Sequence, residues 1–113
     1  MSLIGLVAAI AAAIAVAAGA FGAHGASSAE AKSWLQTGGQ YQLVHAVAAI
    51  ALLAVLPGAR WAAWCFLIGG AVFAGTLYVM ALGGPRWLGA ITPIGGSLLI
   101  LGWVSAAVAF ARS

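Results

Sequence analysis

LIGLVAAIAAAIAVAAGAFGA, running from Leu3 to Ala23, carries no charged and no strongly polar side chain. A helix crosses the ~30 Å hydrocarbon core of a bilayer with about 20 apolar residues, and this stretch has that length. The rest of the chain agrees with it. Of 113 residues, 65% are hydrophobic and 4% are charged, where an ordinary soluble domain is about 25% charged. Lys32, Arg60, Arg86, Arg112 and the single acid Glu30 cannot clothe a water-facing surface, so most of this chain has lipid as its solvent. The stretch has the small residues of a secretory signal. It lacks a basic leading region, and its apolar run exceeds the ~7–15 residues usual for one, so it is expected to persist as a first helix.

Three more spans are predicted working outward. Trp61 to Leu82 and Trp87 to Ala111 carry no charge, Arg86 standing just before the second; Thr76, Tyr78, Thr92 and Ser97 are among their polar groups, and Pro93 falls in the early turns of the second. Gly38 to Leu56 is more polar, with Gln40, Tyr41, Gln42 and His45 in its first half. Pro57-Gly58 and Gly83-Gly84-Pro85 supply turn chemistry between spans, and such short connections make antiparallel neighbours. Trp61, Trp64 and Trp87 sit at helix ends, where amphipathic rings favour the membrane interface. The expected fold is an all-α membrane protein, a single domain over residues 1–113 with four transmembrane helices in an antiparallel bundle.

The first connection, GASSAEAKSWLQTGG, reads differently. Ser27 with Glu30 three residues later matches a capping box, and Ala31, Trp34 and Leu35 share one helical face. A short amphipathic helix over Ser28 to Gln36 is predicted on the membrane surface, with Gly38-Gly39 turning the chain into the next span. One kinked helix from Ser28 to Leu56 is the alternative.

Basic residues divide evenly: Arg60 and Arg112 fall on the side of the N-terminus, Lys32 and Arg86 on the other. The α-amino group tips the orientation towards both termini inside. Four scattered cations make no nucleic-acid patch. Cys65, the one cysteine, reads as a small buried hydrophobe.

Polar groups inside spans are the functional candidates. His24 ends the first helix; Tyr41, Gln42 and His45 share one side of the second at three- and four-residue spacings. Thr92 precedes Pro93, whose missing N–H frees backbone carbonyls; this reads as a plain packing kink or, less commonly, as a broken helix of the kind that lines transporter sites. His24, Tyr41, Gln42, His45 and Thr92 are expected to gather near one interface. The cluster is either a hydrogen-bonded lock between helices 1 and 2 or a pocket for a small molecule. Two histidines without Cys or carboxylate partners make too thin a set for zinc, so no metal and no cofactor is expected. With no nucleophile–base pair and no carboxylate pair, no enzymatic activity is expected.

GAFGAHG (Gly19 to Gly25), Trp34 and Thr37, YQ-x-x-HA (Tyr41 to Ala46), Gly75 to Tyr78 and LGAITPIGG (Leu88 to Gly96) occur in one order. In these the chain resembles the small bacterial membrane proteins of the YgdD/YwdK type, grouped as a domain of unknown function and similar to a small eukaryotic transmembrane protein. The matched positions include His24, Tyr41, Gln42, His45, Thr92 and Pro93; Gly38-Gly39 departs from the pattern, where a helix former is usual. The resemblance implies a multi-pass protein of the bacterial inner membrane and no particular activity. A non-enzymatic scaffold or accessory protein is the first functional expectation. An oligomeric conduit or binding protein for a small polar or amphipathic ligand is the second, and a haem- or quinone-binding redox protein the third. The expected partners are the lipid bilayer and either further copies, through small-residue stripes such as Ala11, Ala15, Gly19 and Ala23, or a larger membrane complex.

Overall fold

The computed structural model describes residues 1–113. It contains α1 (Leu3–His24), α2 (Ala29–Val55), α3 (Arg60–Ala81), a short 3-10 helix (Arg86–Ala90) and α4 (Thr92–Ala111), with no strand. Four segments are long and apolar enough to cross a membrane, the last being the 3-10 turn continued by α4.

The helices pack in chain order. α1 lies on α2, α2 on α3 and α3 on α4, while α1 meets α3 over a smaller contact. Burial follows: α2 and α3 bury nine and eleven residues, α1 and α4 four each, so α2 and α3 form the middle of the molecule. The main core joins Ile4 and Ala8 of α1 to Ala49, Leu52, Ala63, Phe66 and, on α4, Ala106. Most of these are alanines because in lipid the helices are held by close van der Waals packing, which small side chains permit.

α2 corrects the expected separate interfacial helix. It runs unbroken from Ala29 to Val55, through Gly38 and Gly39, so the single-helix alternative is the one observed. The glycines serve packing instead of a turn. A Cβ on Gly39 would lie 2.9 Å from the Ala15 carbonyl oxygen, and one on Gly38 would lie 2.8 Å from the Tyr78 ring. α1 and α3 thus approach the α2 backbone on two sides at the same level. Ala15 and Gly19, assigned above to self-association, here face α2 of their own chain.

The cap also differs by one residue. Ser28, not Ser27, accepts the Ala31 N–H at 3.0 Å. Glu30 does not close a capping box; both its oxygens accept from the Arg86 guanidinium, which also lies 5.4 Å from the centre of the Trp34 ring. A charged partner outcompetes a neutral backbone N–H, and the pair ties the start of α2 to the α3–α4 connection.

At the far end of α3, Gly83 takes φ +99°. The Gly83 N–H donates to Met80 O at 3.1 Å and Gly84 N–H to Val79 O at 2.8 Å, the paired bonds that close a helix around a left-handed residue. Pro93 kinks nothing: it stands in the first turn of α4, where its missing N–H has no intrahelical acceptor to lose. The Thr92-Pro93 step is a helix start and not a broken span.

Candidate functional site: a lateral cleft at mid-depth

Moving the start of α2 to Ala29 moves His45. It lies about 24 Å along the helix at ~1.5 Å per residue, near the middle of the membrane and not just beneath a surface. Gly39 packs level with Ala15 and Gly19, and Gly22 with Leu35. On that register His24 and His45 are separated by roughly 20 Å along the bundle axis. His24 is exposed at the end of α1 and bonds nothing. The expected gathering of His24 with the other four residues is therefore wrong, and its cause is the misplaced helix start.

The remaining four are distributed to different partners. Gln42 is buried and its Oε1 accepts from the Tyr78 hydroxyl at 2.7 Å, joining α2 to α3. Thr92 Oγ1 lies 2.6 Å from Thr76 Oγ1 and 3.2 Å from Leu88 O, joining α3 to α4. Neither reaches α1.

His45 joins α2 to α4. Its Nε2 lies 3.0 Å from Trp103 Nε1 and its Nδ1 2.7 Å from Tyr41 O. An indole nitrogen only donates and a carbonyl only accepts. His45 Nε2 must therefore accept and Nδ1 must carry the proton, which fixes the neutral ring in one tautomer. With both nitrogens engaged and His24 far away, the two histidines cannot flank one haem iron.

Aromatic rings surround this bond. Phe66 lies 4.6 Å from Trp103 and 5.5 Å from His45, and Tyr41 lies 4.7 Å from Phe73 between ring centres. α2 and α4 are bridged here without packing closely, which leaves a cleft of about 530 Å³ lined by Tyr41, His45, Phe73, Pro93, Ser97 and Trp103 among others. A hollow of about 260 Å³ beside it is lined by Gln40, Tyr41, Val44 and His45. Tyr41 is 46% exposed, and its hydroxyl bonds nothing within the chain. The Ser97 hydroxyl donates to Pro93 O at 2.8 Å and keeps its lone pairs free. The cleft thus offers ring faces, one free phenol and one accepting hydroxyl to whatever reaches it sideways from the bilayer.

Trp103 is the residue the sequence reading passes over. The signal was present: an indole N–H in the middle of a span needs an acceptor, and His45 is the one histidine inside a span and not at its end.

Comparison with known proteins places the chain. A family described as "Protein of unknown function (DUF423)" matches residues 18–96, which includes α2, α3 and the start of α4. The UPF0382 membrane protein of Haemophilus influenzae is 42% identical over 83 residues, 70% of this chain and 67% of the relative. UPF0382 membrane protein SH2409 of Staphylococcus haemolyticus is 44% identical over 69 residues, 57% of this chain and 56% of the relative. UPF0382 inner membrane protein YgdD of Escherichia coli K12 is 37% identical over 76 residues, 62% of this chain and 57% of the relative. The chain therefore spans between 56% and 67% of the length of these relatives. No solved structure matches it significantly. With four helices apolar enough to cross a membrane and a match across most of its length, this chain belongs to the DUF423 family, a family of unknown function whose named relatives are membrane proteins.

Proposed function

We propose that this chain is a non-enzymatic protein of the inner membrane, the location named for YgdD, that holds a bilayer-dissolved amphipathic molecule in the cleft between α2 and α4, working as an oligomer or within a larger membrane complex. The observation that carries this reading is the free Tyr41 hydroxyl beside a ring-lined cleft of about 530 Å³. Small-molecule sites commonly occupy ~300–1,000 Å³, with mostly apolar walls and a few placed polar groups. A flat, hydrogen-bonding head group fits between the Tyr41, Phe73 and Trp103 rings, and an apolar tail lies along Ile100, which is 66% exposed. The absence of chemistry is supported by the polar groups themselves. Glu30, the one acid, is paired with Arg86 at the surface, and His45 already uses both nitrogens.

A photoreactive amino acid at Ile100, irradiated in native membranes, tests this. Mass analysis is expected to show one small membrane component far above its bulk share, and Tyr41→Phe together with Ser97→Ala should abolish the enrichment. The same probe at Leu101, on another face of α4, should capture lipids in bulk proportion. Bulk proportions at both positions would sink the proposal.

A further inference from the structure

α2 has a third face. Gly39 meets α1, and Gly38, Gln42 and Ala49 point towards α3 or the core between them. Gln40, Leu43, Val47, Ile50 and Ala54 turn the other way, in line with Gln36, whose stem rests against Gly22 of α1, and all six are exposed. Their spacing is 4-3-4-3-4, the repeat that keeps a seam on one side of a helix pair. The lower part is apolar, with Val47 55% and Ile50 47% exposed, as suits lipid or protein. The upper part does not suit lipid. Gln40 lies level with the Ala15–Gly19 stretch of α1, roughly 10 Å inside the end of that helix, and neither Gln36 nor Gln40 has a hydrogen-bond partner within the chain. An amide facing hydrocarbon without a partner costs several kcal/mol.

We propose that this seam is the interface for a second copy of the chain, paired about an axis along the membrane normal. Such an axis sets each seam residue opposite its own copy, so Gln40 faces Gln40. A primary amide both donates and accepts, which makes it complementary to itself, and the two can exchange N–H···O=C bonds. An added apolar segment would leave the amides unsatisfied, and an acidic or basic partner would match only half of their capacity. The interface covers the hollow at Gln40 and leaves the opening between α2 and α4 free, so each copy keeps its larger cleft. This inference gives a surface to the oligomeric part of the preceding proposal and does not depend on a ligand in the cleft.

The test uses the full-length protein in native membranes with Cys65→Ser, which removes the only cysteine. Gln40→Cys and Val47→Cys, each introduced separately, should give disulfide-linked dimers on mild oxidation, while Leu101→Cys on α4 should give none. With the native seam restored, Gln36→Ala and Gln40→Ala together should weaken dimerisation in detergent by roughly tenfold, the scale of one or two interhelical bonds in lipid. No linkage at 40 and 47, equal linkage at 101, or an adduct with a different protein would each overturn the seam. Photocapture at Ile100 separates this result from the cleft. Capture by a chain that never dimerises refutes the interface alone, and linked dimers that capture only bulk lipid refute the cleft alone.

Discussion

Gly38-Gly39 and Gly83-Gly84 are the same dipeptide with opposite fates. The first lies in the middle of the longest helix and keeps helical geometry, because removing two side chains lets α1 and α3 press against the α2 backbone. The second ends a helix, because Gly83 enters the left-handed region that side chains rarely adopt. Absence of bulk is used in both pairs, at Gly38, Gly39 and Gly84, and conformational freedom only at Gly83. Which of them a glycine pair exercises is decided by what lies across from it and not by its neighbours in sequence.

Substitutions should separate the two roles. Gly39→Val is expected to have the largest effect, about 3 kcal/mol, since the Ala15 carbonyl 2.9 Å from the first added carbon is backbone and cannot rotate aside. Thermal unfolding in detergent followed by circular dichroism would show it, and an unchanged midpoint would mean that α1 does not dock at this level. Gly84→Ala should follow at about 2 kcal/mol, because its Cβ would meet Val79 O at 2.7 Å and disturb the bond that closes α3. Gly83→Ala has open space around it and should cost about 1 kcal/mol through backbone strain alone. Gly83→Asn should recover part of that loss, as asparagine tolerates this region better; recovery by asparagine at position 39 would erase the distinction. Gly19→Ala, with nothing within 4 Å of the new carbon, should change stability by less than about 0.5 kcal/mol.

The four spans were legible because a run of apolar residues has only one meaning at bilayer length. The start of α2 was not, since an amphipathic segment followed by two glycines describes a surface helix with a turn as well as a long helix packed closely on both sides. That ambiguity carried into the site. A helix start at Gly38 sets His45 roughly 10 Å below the level of His24, near the same interface, and only the register against α1 parts them further. Of the polar residues of α2, Gln42 and His45 find their partners on α3 and α4 and not on α1, while Gln40 and the Tyr41 hydroxyl find none within the chain. Tyr78 and Trp103 sit within apolar runs, and neither advertises which of the other helices it faces. Glu30 was readable as a helix start and not as a tie, because the Arg86 that binds it lies 56 positions away.

Packing in chain order bears on how the protein is made. Each helix finds its main docking surface on the one synthesised just before it, so little loop entropy must be overcome at any step. α1 and α2 can settle through Gly39 while the ribosome is still adding α3. Two ties reach further, Arg86 to Glu30 across 56 positions and Trp103 to His45 across 58. His45 must wait in the bilayer with an open lone pair until α4 has entered, and the arrival of Trp103 registers that all four helices are in place.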